Sequence, residues 1–464
     1  MRVRSRILAL LGSVAAMPLL AGAINSAAAQ QAPGGGSFPG SFLVPGTNTS
    51  FKVGGYAKFD YQYDFATHQD FVANGAGTAP VIAILPVTGA RIHGDSRLSA
   101  AESRFNIETR TPTGYGELKT FIEGDFEGVS GVINQTNSGV SNSNTFQINS
   151  NRSAFALRHA YGTLGPLLAG QYFSLFEDLA AAPETLDFGG AIGVSGPLRQ
   201  AQARYVFSAG NGLTLGVSAE NPQTVVVSAA PSAFGNATNT QPTLGSSTFG
   251  LGQGDKMPDF VGAVIWSQGP GHIAFRGVVR DLYDHNPAGG TAATGVGPAG
   301  VSNSTFGWGA GVSGDYHVFG KDDIIFQVNG GKGIGRYITN TGDTQADSVI
   351  SVDGSRLSAV PAYGGVLGYQ HWWTDRLRSN IEGSVIYQKW ERSLFAGGVT
   401  GLIDGATGSF GSLTRREISS HVNLIWSPVP AVDLGIEFIW EQRLIEANLS
   451  GQLVRTQTSA KFKF

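Results

Sequence analysis

From Phe51 onward the chain alternates apolar and polar residues over runs long enough to cross a bilayer. Phe51, Val53, Ala57, Phe59, Tyr61, Tyr63 and Phe65 share one parity; Lys52, Lys58, Asp60, Gln62 and Asp64 share the other, with Tyr56 among them. A β-strand sends successive side chains to opposite faces, so one face here suits lipid and the other suits water. The pattern recurs. Leu118, Ile122 and Phe126 oppose Glu117, Lys119, Glu123, Asp125 and Glu127. Leu213, Leu215 and Val217 oppose Thr214, Ser218 and Glu220, and Ile273, Phe275 and Val279 oppose His272, Arg276 and Arg280. Ile418–Trp426 and Leu434–Trp440 repeat it, with His421, Asn423, Glu437 and Glu441 on the wet face. Soluble sandwiches alternate too, but their strands run to about 5–6 residues, whereas a tilted membrane strand needs about 9–11.

Composition agrees with a wall wetted on one side only. Charged residues make up 14% of the chain, against roughly 25% in a typical soluble protein. Glycine is the commonest residue, with 66 copies, and aromatics reach 10%. After the N-terminus no stretch holds the ~18 uncharged apolar residues of a membrane helix. The connections between alternating runs also alternate in length. Short ones fall at Thr111–Gly114, Gly165–Pro166, Ala209–Gly212, Gln268–Gly271, Gly320–Asp322, Thr374–Arg376 and Pro428–Val432. Long ones fall near 66–101, 128–151, 175–199, 221–255, 284–303, 337–360 and 391–414, and one near Ala447–Gly451 is short on the long side. Short turns at one end and long loops at the other predict an all-β fold: a transmembrane antiparallel β-barrel of about sixteen strands, with short periplasmic turns and long extracellular loops. The runs around Gln202–Ser208 and Asp259–Ser267 are its weakest strands. An even count brings both termini to the periplasmic side, and a barrel of this size encloses a channel.

The N-terminus reads as an export leader. Arg2, Arg4 and Arg6 precede an apolar core from Ile7 to Ile24, and Ala27-Ala28-Ala29 offers small-residue cleavage, so residues 1–29 form a signal peptide and Gln30 begins the mature chain. Removing those three arginines from 31 basic residues leaves 28 against 34 acidic ones, a mature charge of about −6. That balance points away from nucleic acid. Residues 30–50, rich in Gly, Pro, Ser and Ala, read as a flexible periplasmic linker, and 51–464 as the barrel. The chain has no cysteine, so disulfides and thiolate metal sites are excluded. It ends Thr458-Ser459-Ala460-Lys461-Phe462-Lys463-Phe464, with apolar residues at alternate positions before a terminal aromatic, a pattern expected to engage the barrel-assembly machinery through Phe464. Trp266, Trp308, Trp372, Trp373, Trp426 and Trp440 fall near strand ends or on the lipid parity, as interfacial girdles require.

Two stretches carry a family resemblance. Arg97-Leu98-Ser99-Ala100 through Ser103-Arg104-Phe105, then Thr111-Pro112-Thr113-Gly114, Leu118-Lys119 and Glu123-Gly124-Asp125-Phe126, resemble the DcaP-like porins. So does the stretch from Leu157-Arg158-His159-Ala160-Tyr161-Gly162 through Ala169-Gly170-Gln171 to Pro183-Glu184-Thr185-Leu186-Asp187-Phe188. The resemblance is densest from Arg97 to Phe188. It implies a homotrimeric channel of the bacterial outer membrane, in some members associated with uptake of dicarboxylates and similar small organic anions. Some members carry an N-terminal coiled coil, for which residues 30–50 are too short and too rich in Pro and Gly.

A porin narrows its water-filled lumen with an inward-folded loop, and charges at the narrowing set ion preference. Residues 175–199 are the candidate constriction loop, bearing Glu177, Asp178, Glu184 and Asp187. Strand parity puts Lys58, Arg104, Arg110, Lys119, Arg158, Arg204, Arg276 and Arg280 on the lumen side, where a guanidinium fork grips a carboxylate. Each charge has a plainer use in pairing with a neighbour on the wall; Glu102, Glu108, Glu123 and Asp125 could neutralise several arginines, and Glu184 and Asp187 could simply anchor the loop. The expected function is passive diffusion of small hydrophilic solutes, with small organic anions such as dicarboxylates as the finer expectation. Expected partners are those solutes, outer-membrane lipid and lipopolysaccharide.

An outer-membrane barrel enzyme is one alternative, but the chain holds no His-x-x-x-His pair, no Gly-x-Ser-x-Gly elbow and no phosphate loop; Gly331-Lys332-Gly333 lacks the hydroxyl residue. No catalytic residue, metal or cofactor is expected. A plugged transporter needs a folded domain before the barrel, which 30–50 cannot supply. A structural or adhesive barrel is the remaining alternative, served equally by the Gly-, Ser-, Thr- and Asn-rich loops.

Overall fold

The computed structural model describes residues 35–68, 91–128, 154–194, 198–228, 255–286, 301–338, 346–351, 355–395 and 410–464. The export leader, the first residues of the linker and most of the long connections lie outside the described residues. Sixteen long strands form the wall in chain order: β1 (Ser50–His68), β2 (Arg104–Thr113), β3 (Gly116–Gly128), β4 (Ala154–Leu164), β5 (Leu167–Phe173), β6 (Arg199–Gly210), β7 (Leu213–Glu220), β8 (Asp259–Gln268), β9 (Gly271–Asn286), β10 (Val301–Phe319), β11 (Asp322–Lys332), β12 (Pro361–Thr374), β13 (Leu377–Gln388), β14 (Thr414–Val429), β15 (Val432–Ile445) and β16 (Ser450–Lys463). Each pairs antiparallel with the next, and β1 pairs with both β2 and β16, so the sheet closes on itself. Closure is what hydrocarbon demands, since an open edge would leave backbone groups with no partner.

The seam lies at Gly55. Ser50–Tyr56 pairs with β2 on one side, and Tyr56–Ala66 pairs with β16 on the other. Gly55 has φ +152°, a conformation that a side chain resists, and a Cβ there would overlap the backbone carbonyl of Arg104. Gly55 and Phe464 exchange backbone hydrogen bonds of 3.3 and 3.1 Å, so the terminal aromatic, 68% exposed, sits on the join.

Tight connections leave 114–115, 165–166, 211–212, 269–270, 320–321, 375–376 and 430–431 between strands, all at the end that holds the C-terminus. The two weakest sequence runs are both strands, β6 and β8. The turn after β15, at Asn448 with φ 60°, is the short one on the opposite side. Residues 35–49 are not a featureless tether. Phe42–Leu43 pairs with Phe51 and Ser50, folding the segment back on β1, and the Phe38 ring lies 4.4 Å from the Arg110 guanidinium. At the long-loop end Val226–Ser228, Ser348–Ile350 and Leu357–Ala359 form a small separate sheet. Its Val227 and Val349 pack with Trp390, Leu394 and Leu413 in an apolar cluster, and its Ile350 and Leu357 pack on Leu282 of β9.

Burial is inverted relative to a soluble protein. Phe306, Val328, Leu367 and Trp373 are more than 60% exposed, whereas Arg443 and Arg455 are among the largest fully buried side chains. Charged residues are almost never buried unless paired, so the apolar belt faces lipid and the charges face the interior. Trp266, Trp308 and Trp426 lie on the exposed belt. Trp372 instead faces inward, against the Arg378 guanidinium at 5.4 Å, because it shares the inward parity of Val366 and Gln370 on β12.

Gly55→Val is expected to prevent closure: the clash and the left-handed φ together cost at least about 2 kcal/mol. The refolded fraction that keeps the fast, heat-sensitive mobility of a closed barrel on a denaturing gel should fall sharply. Gly277→Val, on the lipid face of β9 away from the seam, is the control and should leave it near wild type.

Candidate functional site

The connection from β5 to β6 does not leave the barrel. It runs along the inner wall and meets one strand after another. Leu175 N–H donates to Glu220 Oε1 of β7 at 2.8 Å. Arg276 of β9 donates to the Phe176 carbonyl. Asp178 Oδ2 lies 2.8 Å from His272 Nε2 of β9 and accepts from the Ser313 hydroxyl of β10. Gln327 of β11 donates to the Asp178 and Ala181 carbonyls at 3.1 and 3.0 Å. Arg378 of β13 forms a two-pronged pair with Glu184, both bonds 2.6 Å. Asn423 of β14 donates to the Glu184 carbonyl at 2.8 Å, and Glu437 of β15 accepts the N–H groups of Leu186 and Asp187 at 2.7 and 3.1 Å. Gln457 of β16 and Lys58 of β1 then donate to the Leu186 carbonyl at 2.9 and 2.7 Å.

The path follows from the sequence around Gly193. That glycine has φ +66°, and a Cβ would overlap the Val385 carbonyl, so only glycine lets the returning chain lie flat on the wall. Leu175 and Phe176 seat the root among Val261, Ala263, Val278 and Tyr337.

Because the loop covers β7 to β16, the opposite wall stays open. It carries Tyr56 of β1, Arg104 and Arg110 of β2, Lys119 and Phe121 of β3, Arg158, His159 and Tyr161 of β4, Tyr172 and Phe173 of β5, and Arg199 and Arg204 of β6. Rings and cations interleave. Tyr161 and Tyr172 are 4.7 Å apart, His159 and Phe173 4.6 Å, and Phe121 and Tyr161 5.7 Å. Arg104 lies over Tyr56 at 5.3 Å, Arg204 over Tyr172 at 5.3 Å, Arg199 over Phe173 at 5.0 Å, and Lys119 over Phe121 at 5.5 Å. Arg158 lies 5.4 Å from the ring of Phe188, which comes across from the loop tip.

The residues singled out by sequence therefore divide. Arg104, Arg110, Lys119 and Arg204 share the open wall, and Arg158 lies on it but buried, beneath the Phe188 ring. Acidic neighbours balance part of that charge: Arg104 lies 3.5 Å from Glu123, Arg110 2.6 Å from Glu108, and Arg158 pairs with Asp125. Lys58, Arg276 and Arg280 face inward but are sealed. Lys58 pairs with Glu102 and holds the loop tip, Arg276 holds the root, and Arg280 joins Asp259 and Asp347 at 2.9 and 2.7 Å. Three of the four acids are likewise taken up by the loop itself. Glu177 is sealed beneath the root, Asp178 is bound to the wall, and Asp187 Oδ2 accepts the N–H groups of Gly189 and Gly190 at 2.8 and 3.0 Å. Glu184 is the exception; its side chain stays 39% exposed beside Arg378. Arg199, Arg378 and the aromatic rows were not singled out. Arg199 opens a strand, where parity is undefined until its neighbours are known.

Burial sets the protonation of the loop acids. It pushes the Glu177 carboxyl well above its usual range, against the pull of Arg199. Burial, opposed chiefly by His421, pushes Asp187 up to about 6. At Asp178 burial also works against the charge, but hydrogen bonds from His272 and Ser313 outweigh it and hold the carboxyl low.

Comparison with known proteins follows the geometry. A family described as Porin subfamily matches residues 39–443. No curated protein sequence matches. Among solved structures, the outer membrane channel DcaP of Acinetobacter baumannii is similar over 91% of this chain and 99% of its own, at 19% identity and a TM-score of 0.65. OmpT of Vibrio cholerae is 9% identical over 90% of this chain and 98% of its own, with a TM-score of 0.48. OprB of Pseudomonas putida is 10% identical over 89% and 94%, with a TM-score of 0.49.

Glu177→Gln tests the loop root. A carboxyl whose folded pKa lies above its unfolded value binds more protons in the native state, so it costs stability as pH rises past the ordinary carboxylate range. The variant should gain over wild type as pH increases, by at most about 1.4 kcal/mol per pH unit, and match it in acid. The temperature at which the folded band converts on a gel, measured against pH, reads this directly.

Matched over most of its length and closed as a barrel of sixteen strands with a loop folded into the lumen, the chain belongs to the Porin subfamily and is an outer-membrane channel of Gram-negative bacteria.

Proposed function

We propose that the channel is a passive diffusion porin whose narrowing favours small organic anions, dicarboxylates among them. The observation that carries this reading is the one-sidedness of the lumen. The loop binds Asp178 and Glu184 to the wall and seals Glu177 and Asp187, and the opposite wall presents six guanidinium or ammonium groups, four of them lying over its own aromatic rings. A cationic wall held over a confined aqueous path raises the local concentration of anions. Guanidinium forks match carboxylates with two hydrogen bonds. The rings of Tyr161, Tyr172 and Phe173 offer a flat apolar surface to the body of the same solute, so a planar dicarboxylate engages both halves of the wall.

Three further parts belong to this reading. The functional unit is a homotrimer. Residues 1–29 are removed on export. The exposed Phe464 at the seam serves as the handle by which the assembly machinery takes up the last strand.

The test is single-channel conductance of the purified protein in a planar bilayer, with reversal potential under a salt gradient and titration of succinate and phthalate. Conductance in steps of three, a reversal potential on the anion side and block by both acids, phthalate the stronger, are expected. Arg104→Gln, Arg158→Gln and Arg199→Gln together should shift the reversal potential toward cations and weaken phthalate block by roughly tenfold for each guanidinium that contacts it. A cation-selective channel that neither acid blocks would remove the anion reading, and absence of conductance would remove the open pore.

A further inference from the structure

The segment before β1 sends a ring into the lumen. Phe38-Pro39-Gly40-Ser41 and Val44-Pro45-Gly46-Thr47 are both type II turns. In each, proline stands second and glycine third, with φ +76° at Gly40 and +77° at Gly46, and the fourth N–H returns to the first carbonyl at 3.1 Å. Between the turns Phe42–Leu43 pairs with Ser50–Phe51. Cross-strand partners share a face, and the Phe42 and Phe51 rings lie 5.2 Å apart on the lipid parity. The first turn crosses to the other face. Lys52 and Arg110 have the lumen parity of Lys58 and Arg104. Lys52 Nζ donates to the Pro39 carbonyl at 3.2 Å, Ser50 Oγ accepts the Ser37 N–H at 2.8 Å, and the Phe38 ring lies over the Arg110 guanidinium. The segment is thus hooked over the short-turn rim at β1, with Phe42 outside the wall and Phe38 inside it.

Arg110 and its ladder partner Lys119 are the cations of the open wall nearest the short turns. The Phe38 contact, at 4.4 Å, is shorter than those of Arg104, Lys119, Arg199 and Arg204 with their nearest rings, at 5.0 to 5.5 Å. A ring face attracts a guanidinium within about 6 Å of its centre. Here it covers one face of the fork, while Glu108 takes Nε at 2.6 Å and Glu117 lies 3.5 Å from Nη1. Face and edge of Arg110 are both engaged from within the chain.

A channel conducts only when its last station lets go of what it binds. A bare guanidinium at the mouth would hold a carboxylate with two hydrogen bonds. We propose that Phe38 is a specificity-determining residue of the periplasmic mouth: seated on Arg110, it narrows the exit and weakens the hold of the last arginine on a departing anion. The identity of that anion rests on the reading given above; the place of the ring in the conducting path does not.

The test is planar-bilayer recording from the purified outer-membrane protein. Phe38→Ala should move the reversal potential in a potassium chloride gradient toward anions. It should also lengthen block by phthalate, added on the short-turn side, by about five-fold, the equivalent of one ring–cation contact. Phe38→Tyr, which keeps the ring, should restore both. In an Arg110→Gln background Phe38→Ala should change neither, an outcome that a purely structural role for the ring does not produce. Because the chain has no cysteine, Phe38→Cys supplies a single thiol. Its modification by a sulfonate-bearing methanethiosulfonate should lower the conductance in steps. Tyr115→Cys, at a turn tip 86% exposed, should leave the conductance near wild type when its modification is confirmed by mass. The proposal is overturned by unchanged conductance on labelling Phe38→Cys, by a Phe38→Ala channel identical to wild type in chloride, or by a Phe38→Ala effect that survives Arg110→Gln. A wild type that neither acid blocks removes the dicarboxylate reading alone, since the chloride readout still decides the role of Phe38.

Discussion

The hydrogen-bonded join between the first and last strands is the constraint on which the rest depends. In hydrocarbon an unpaired backbone group costs several kcal/mol, so no strand of the wall can be left at an edge. The pairing of Tyr56–Ala66 with the C-terminal strand closes the ring, and Gly55 lets the chain terminus at Phe464 and the backbone of Arg104 both approach β1. Once the ring is closed, parity has only two outcomes, lipid or lumen. Every charge on the wrong parity for lipid is then forced into a narrow interior, where it must find a partner.

The constriction loop is that partner for half the wall. Its backbone carbonyls and N–H groups, which would otherwise be stranded in a lumen without secondary structure, are satisfied by Arg276, Gln327, Asn423, Glu437, Gln457 and Lys58. Glu220, His272, Arg276, Arg378 and Glu437 are thus consumed in holding a polypeptide in place, while Arg280 and Arg455 pair with acids of the wall and its outer loops. Among the described residues, the charges of β2 to β6 meet the loop only where Phe188 reaches Arg158. Selectivity arises from this division of labour, since only side chains left over from anchoring remain available to a solute.

This division explains what could be read in advance. Facing was legible because it depends only on period two: Arg276 and Arg280 point inward, as their alternation with Phe275 and Val279 requires. What they meet was not legible. The partner of Arg276 is a carbonyl 100 residues earlier, and that of Lys58 is a carbonyl 128 residues later. Such contacts depend on the path of the loop, which carries no periodic signal. Arg199 was missed because it stands at a strand boundary, where alternation has not yet begun. The linker misled by composition: Gly and Pro suit a tether, but they also suit the tight turns at Gly40 and Gly46 that fold residues 35–49 back onto β1.

The loop is fastened to the wall at nearly every strand it passes, from Glu220 at its root to Lys58 at its tip. A flap hinged at one end swings as a unit. A strap stitched at intervals behaves as a beam on many supports, and the loss of one stitch bows only the span between its neighbours. The aperture of this channel is therefore a property of the barrel's cross-section, and its tolerance to substitution is distributed along a line of anchors with no single hinge to fail.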